Sequence, residues 1–177
     1  IGGKNLKIAK NYFEKALPLA HNKFKGLEAS ILNNWAMNEL KQGNLAEAYQ
    51  RFFKMTHFLA NHFSPGCGAG FYNAARASLL LGYNNEARAA LELGLKVCGA
   101  YNDLWSIATI WKGYALLYQE LGDLKKAKEF VVKSLDVYEK LGVVWLTITS
   151  LNELCKINIV EQNLLDAETN LRRIWNL

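Results

Sequence analysis

The sequence has 177 residues, of which 51% are hydrophobic and only two are proline; this composition excludes a disordered chain and favours helices over a sheet. Its 21 basic and 16 acidic side chains give a formal net charge of +5, spread along the chain without a run that would predict direct nucleic-acid binding, and this balance favours an acidic partner. No apolar stretch approaches the roughly 18 to 20 residues that cross a bilayer, so we expect a cytoplasmic protein without a membrane partner.

Three cysteines, Cys67, Cys98 and Cys155, are odd in number and far apart in the sequence. This usage predicts small buried thiols in a reducing compartment, without a disulfide framework. The chain begins at Ile1 without an initiator methionine and stops at Leu177 within an amphipathic segment. We therefore expect an excised piece of a longer protein.

A repeated pattern runs through the chain. The segments that align without gaps are 4–17, 43–56, 82–95, 122–135 and 162–175. Their shared alanines, spaced at 39, 39, 40 and 40 residues, are Ala9, Ala48, Ala87, Ala127 and Ala167. One helical turn later come the larger apolar residues Phe13, Phe52, Leu91, Val131 and Leu171. Each segment is predicted to be a helix whose small residue lets a neighbouring helix come close.

Glycines precede three of these helices. Gly43, Gly82 and Gly122 stand five residues before their alanines, where we expect a preceding helix to end in a left-handed cap. Asn44 and Asp123, directly after two of these glycines, are predicted N-caps of the next helix.

A second helical pattern lies upstream of each turn. The residues sixteen, thirteen and twelve positions before the alanines form apolar sets of four: Leu32, Phe71, Trp111 and Leu151; Trp35, Ala74, Tyr114 and Leu154; Ala36, Ala75, Ala115 and Cys155. This spacing makes one apolar stripe, so each unit is predicted to be a helix, a tight turn and a second helix. The predicted units are 1–25 (second helix only), 26–65, 66–102, 103–142 and 143–177.

The segment HFSPGCGAGF, residues 62–71, is the stretch that most resembles a chemical site. A phosphate loop is disfavoured because no GK[ST] ending and no preceding strand accompany it. A nucleophile at Cys67 with His62 as its base has no third orienting group. A metal site from His57, His62 and Cys67 has irregular spacing. In register, the segment falls at a junction between units.

We therefore interpret this segment as a turn between repeats. Pro65 and Gly66 are expected to stop one helix, and Gly68 and Gly70 to weaken the first turn of the next.

Segment 111–135, WKGYALLYQELGDLKKAKEFVVKSL, resembles a tetratricopeptide repeat (TPR). The residues that match the family in type and offset are Trp111, Ala115, Tyr118, Gly122, Ala127 and Val131. Ser134 stands where the family usually has a second alanine, and the period of 39 to 40 exceeds the common 34. Such long units are similar to those of kinesin light chains, LGN-type adaptors and MalT-like bacterial regulators. The resemblance implies an all-α, right-handed superhelical solenoid of antiparallel helix pairs, with about four units and nine helices.

The resemblance also implies a concave groove lined by the first helix of each unit. The residues that it places there are Asn33, Asn34, Met37, Tyr72, Asn73, Arg76, Lys112, Asn152 and Lys156. Amides can pair with the backbone of an extended peptide, and the cations favour carboxylates or phosphates. The alternative is that these residues are ordinary solvated side chains of an exposed helix face.

The sequence can be interpreted in terms of three functions. The favoured one is a non-enzymatic scaffold that binds an extended or helical acidic segment of another protein in this groove. The second is a ligand-sensing arm of a multidomain bacterial regulator. An enzyme has little support, because no carboxylate pair, triad or phosphate loop emerges. We expect no cofactor and no metal, and a truncated array can also self-associate through its exposed flank.

Overall fold

The computed structural model describes residues 2–21 and 23–177, with the backbone alone over residues 2–7. Ile1 and Asn22 lie outside the described residues. The expectation of an excised piece rests partly on Ile1. The described chain contains helices and no strand. The helices are α1 (Gly2–Ala20), α2 (Lys25–Lys41), α3 (Leu45–Asn61), α4 (Gly68–Leu80), α5 (Asn84–Ala100), α6 (Leu104–Glu120), α7 (Leu124–Lys140), α8 (Val144–Val160) and α9 (Leu164–Trp175). None of these helices combines the length and apolar content of a membrane span.

The nine described helices form an α-solenoid, as the repeat predicts. Each helix packs on the next one in the chain, and α4 also packs directly on α6, and α3 on α5. Short turns therefore join antiparallel pairs that stack side by side. Helices α6 and α8 approach each other much less closely than α4 and α6 do.

The tight turns adopt the predicted left-handed caps. Gly43, Gly82 and Gly122 have φ values of 80°, 76° and 75°, a region that glycine enters without a Cβ penalty. At two other turns, which lack a glycine, Asn102 (φ 52°) and Gln162 (φ 60°) adopt the same left-handed conformation.

The N-cap predictions differ in outcome. Asp123 caps α7 by accepting a hydrogen bond from the backbone N–H of Lys126 at 3.0 Å. Asn44 occupies the N-cap position of α3 but makes no capping bond, so its predicted role is wrong. Its side-chain amide donates instead to Oε2 of Glu39 at 2.7 Å, because that buried carboxylate needs partners.

Glu39 is the centre of a buried polar cluster. The side chain is 2% exposed, and its Oε1 accepts a hydrogen bond from Nε1 of Trp35 at 3.0 Å. Nη2 of Arg51 lies 3.5 Å from the same oxygen, while its guanidinium stacks over the Trp35 ring at 4.2 Å. The cluster joins α2 to α3 at the end where Gly43 turns the chain.

The repeated small residues form the seam of the fold. Ala48, Ala87, Ala127 and Ala167 are at most 4% exposed, while Ala9 in α1 is partly buried. The larger residues one turn later are also in the core at Phe52, Leu91 and Val131. Leu171 is 51% exposed, so its predicted packing role is wrong, because none of the described helices covers this position.

The HFSPGCGAGF segment is a turn, and α4 begins within it. Gly66 adopts φ 79° after Pro65, and the chain is helical again from Gly68. The expected weakening of the first turn of α4 is not the only effect of Gly68 and Gly70. A Cβ at Gly68 would lie 2.5 Å from Cα of Ser106, and one at Gly70 would lie 2.8 Å from Cε of Met55. Both glycines therefore permit close helix contacts.

The side chains of His57 and His62 interact with the backbone one turn earlier in the chain. Nδ1 of His57 and of His62 lies within hydrogen-bond distance of the carbonyl four residues earlier, at 3.0 and 3.2 Å. Within residues 2–21 and 23–177, no group of three or more potential ligands is placed to hold a metal ion.

Candidate functional site

The residues predicted for the groove lie on α2, α4, α6 and α8, the first helices of the successive pairs. Four of them line one cavity of about 280 Å³ between α6 and α8, which we call the groove pocket. The residues that line it are Tyr72, Lys112, Ala115, Leu116, Val131, Thr149, Ser150, Asn152, Glu153 and Lys156. The pocket exists because α8 stands away from α6, while side chains bridge the space between them.

Two polar bridges hold α6 and α8 at this separation. Nζ of Lys112 donates to Oγ1 of Thr149 at 3.1 Å. The amide of Gln119 donates to Oε1 of Glu153 at 2.9 Å. On α8 itself, Nζ of Lys156 lies 3.2 Å from Oε2 of Glu153. The pocket therefore contains two ammonium groups and one carboxylate.

Burial changes the proton affinity of two groups in the pocket. Desolvation lowers the pKa of Lys112, and the charge of Glu153 opposes this effect. Desolvation also raises the pKa of Tyr72, so its phenol stays protonated and remains a hydrogen-bond donor at neutral pH. An anion beside Lys112 would restore the stability of its charged form.

Ser150 contributes a polar atom that lacks a partner. The residue is 0% exposed, it lines the groove pocket, and its Oγ has no hydrogen-bond partner among the described residues. Buried hydroxyls are normally paired, so the lining of the pocket contains one unsatisfied polar atom.

The asparagines of α2 and α4 bond to one another. Nδ2 of Asn73 donates to Oδ1 of Asn33 at 3.0 Å, and Nδ2 of Asn33 lies 3.4 Å from Oδ1 of Asn34. Asn33 and Asn34 also line a second cavity, of about 170 Å³, beside the Pro65 and Gly66 turn. Asn34 is the exposed member of this row, whereas Asn73 is partly buried.

Neither cavity is lined by three of the predicted residues: Asn73, Met37 and Arg76. Met37 is partly buried and packs against the central hydrophobic core. Arg76 is partly buried one turn after Tyr72, and its charge favours ionisation of that phenol, against the larger effect of burial.

The sequence reasoning missed three polar residues of the site: Gln119, Thr149 and Ser150. Glu153 occupies the same register position as Asn34 and Asn73, fourteen residues before the repeated alanine, so the repeat register also places it in the predicted groove. Nothing in the one-dimensional pattern predicts the gap between α6 and α8 that the others line.

No protein-family model and no curated protein sequence matches the chain. Its fold is similar to those of solved structures. BtubC (BKLC) from P. vanneervenii superimposes with a TM-score of 0.77 at 14% identity over 97% of this chain and 72% of its own. For the apo form of RapI the TM-score is 0.74 at 16% identity, and the 97% of this chain that aligns covers 48% of RapI.

A third similar structure contains the nearly identical TPR-like repeats of a Podosopora anserina protein assigned as a kinesin light chain. It matches with a TM-score of 0.67 at 16% identity over 98% of this chain and 87% of that one. Together with the repeat register and the helix pairs, these likenesses establish the fold class. The chain is an all-α solenoid of the TPR-like type.

Proposed function

We propose that this protein is a non-enzymatic interaction scaffold that binds an extended or helical, acidic segment of another protein in the concave groove of its helix array. The observation that carries the proposal is the groove pocket, where two lysines face one glutamate. The formal charge of +5 acts in the same direction, because it raises the encounter rate with acidic partners.

A carboxylate is the group that suits this pocket best. The ammonium of Lys112 donates to the neutral hydroxyl of Thr149, and burial disfavours its charge. A carboxylate in the pocket would form a charge-assisted hydrogen bond with Lys112 and offset that cost. The hydroxyl of Ser150 and the phenol of Tyr72 would supply two further donors.

The exposed amides extend the same surface. Asn34 and Asn152 are exposed on α2 and α8, and each amide can donate to and accept from an extended backbone. Asn33 and Asn73 orient Asn34 through their mutual bonds, so we assign them a positioning role.

Selection from a random peptide display library tests the proposal. We expect the selected peptides to be rich in Asp and Glu, and their synthetic versions with Asn and Gln to bind more weakly. Lys112→Gln should weaken binding of the acidic peptides at least about tenfold, the loss typical of one desolvated charge pair.

Lys140→Gln is the matched control. Lys140 is exposed on α7, pairs with Asp136 at 2.6 Å and does not line the groove pocket, yet the substitution removes the same charge. Peptides without acidic preference, or equal losses in the two variants, would show that the net charge rather than the pocket drives binding.

A second candidate function is a regulatory arm in which the groove pocket takes a small polar ligand. The buried, unpaired hydroxyl of Ser150 favours it, because a flexible peptide side chain reaches such a depth less readily than a compact molecule does. A thermal-shift screen of polar metabolites would then find a stabiliser whose effect disappears in Ser150→Ala. A screen without such a compound would count against this second candidate.

A further inference from the structure

Two cysteines that are far apart in the sequence meet in the interior. Sγ of Cys67 and Sγ of Cys98 lie 3.3 Å apart, and the two residues are 7% and 0% exposed. Cys67 directly precedes α4, and Cys98 lies in the last turn of α5. Since the Gly82 turn joins these helices at their other ends, the thiols meet at the open end of the α4–α5 hairpin.

Asp103 holds both cysteine segments in place. Its backbone N–H donates to the carbonyl of Cys98 at 3.1 Å, and its Oδ2 accepts a hydrogen bond from the N–H of Gly66 at 2.9 Å. On the other side of Cys67, the N–H of Gly68 donates to Oγ of Ser106 at 3.1 Å. The backbone on both sides of Cys67 is thus fixed relative to α6 and to the end of α5.

We propose that Cys67 and Cys98 form a reversible intramolecular disulfide when the protein meets hydrogen peroxide. A disulfide bond is about 2.05 Å long, so the sulfur atoms must approach by about 1.3 Å to form it. The proposal is independent of the proposed function of the groove.

The environment assigns different roles to the two sulfur atoms. The hydrogen bond from the Cys98 thiol lowers the pKa of Cys67, although burial opposes the effect, while the pKa of Cys98 is raised. Cys67 is therefore the nucleophile. Cys67 also lines the second cavity, beside Pro65 and Gly66, and this is the side from which peroxide would approach it.

The reaction balances in two steps. The Cys67 thiolate attacks one oxygen of hydrogen peroxide, an S–O bond forms, the O–O bond breaks, and hydroxide leaves and takes up a proton to become water. The Cys98 sulfur then attacks the sulfenic sulfur of Cys67, the S–S bond forms, the S–O bond breaks, and a second water leaves with the Cys98 proton. Two thiols are oxidised and one peroxide is reduced to two waters.

The cross-link would join the ends of the α4–α5 hairpin, which carries part of the candidate groove. The bond closes a loop from Cys67 to Cys98 that contains all of α4 and most of α5. Tyr72, Asn73 and Arg76 lie on α4, so oxidation would fix the helix that presents them.

Cysteine mapping of the whole chain tests the proposal. The reduced, folded protein is treated with hydrogen peroxide, quenched with catalase, denatured and alkylated, and then digested for mass spectrometry. We expect one alkylated cysteine, Cys155, and a linked peptide pair that contains Cys67 and Cys98. Dithiothreitol should restore three alkylatable thiols.

Two controls make the result specific. Cys155 is an internal control, because its thiol is also buried but faces the carbonyl of Ala167 at 3.5 Å and no second thiol. In Cys98→Ala the linked peptide should disappear, and a sulfenic-acid probe should label Cys67. The same treatment in urea should form the Cys67–Cys98 link at least about tenfold more slowly, since the fold supplies the proximity.

Three alkylated thiols in the treated folded protein would overturn the proposal, and so would a link between separate chains. A link that forms equally fast in urea would also overturn it. The comparison of folded and denatured wild-type protein decides the matter even if Cys98→Ala fails to fold.

Discussion

Alanine at Gly68 should separate two helices that now touch. Gly68 is the first residue of α4, and it lies against Ser106 in the first turn of α6. A Cβ built at Gly68 would come within 2.5 Å of Cα and 2.6 Å of Cβ of Ser106. Carbon atoms in contact need about 3.5 to 4.0 Å, so one backbone must move by about 1 Å.

The expected cost of Gly68→Ala is about 1 to 3 kcal/mol of unfolding free energy. Overpacking against a backbone typically costs about 1 to 3 kcal/mol. The shift also weakens the hydrogen bond from the N–H of Gly68 to Oγ of Ser106, worth about 1 kcal/mol. The better helix propensity of alanine returns less than about 1 kcal/mol, so the clash dominates.

Urea unfolding followed by far-UV circular dichroism measures this difference, and Gly99→Ala is its matched control. Gly99 lies in α5, and a Cβ there would meet nothing within 4 Å. The control should be unchanged or stabilised by up to about 1 kcal/mol. If Gly68→Ala unfolds at the same urea concentration as the wild type, the close contact of α4 with α6 is not a constraint on this position.

Three further outcomes follow from the buried polar groups. Asp103→Ala should cost about 2 to 3 kcal/mol in the same urea assay, because its carboxylate accepts hydrogen bonds from the N–H of Gly66 and from the N–H and hydroxyl of Ser106. Asp123→Ala, which removes an exposed cap, should cost clearly less, and equal losses would contradict this reading. Glu39→Ala should cost about 2 kcal/mol, because the partly buried indole of Trp35 and guanidinium of Arg51 lose their buried acceptor; a neutral effect would refute the role of the cluster. Burial raises the pKa of Tyr138 to about 12, whereas the unfolded phenol ionises near 10. The free energy of unfolding should therefore fall as the pH rises from about 10 to 12, and Tyr138→Phe should reduce this fall.

The fold was largely predictable from the sequence because its seam is periodic. One alanine every 39 or 40 residues marks a place where two helices come close, and four of the five are buried. The same logic failed at Leu171, since a repeat register states which side a residue faces but not whether a neighbour is there. It also failed at Asn44, because the need of buried Glu39 for a hydrogen-bond donor outweighs a local capping bond.

The candidate site was less predictable, because pockets depend on the spacing between helices. The register selected Tyr72, Lys112, Asn152 and Lys156, which line one cavity, and whether they bind a partner remains a prediction. It gave no reason to select Ser150, whose missing partner is visible only in three dimensions. The register also did not predict the contact between Cys67 and Cys98, because that contact too is visible only in three dimensions.

A single register position helps explain why the groove pocket lies between α6 and α8. Fourteen residues before the repeated alanines stand Asn73 on α4, Gly113 on α6 and Glu153 on α8. At Gly113 the absent side chain makes room for Leu91 of α5, since a Cβ there would lie 2.4 Å from Cδ2 of that leucine. At Glu153 a long charged side chain reaches back to Gln119 on α6 instead. The small residue thus lets α5 pack closely on α6, whereas Glu153 spans the gap between α6 and α8, and the cavity with its two lysines occupies that gap.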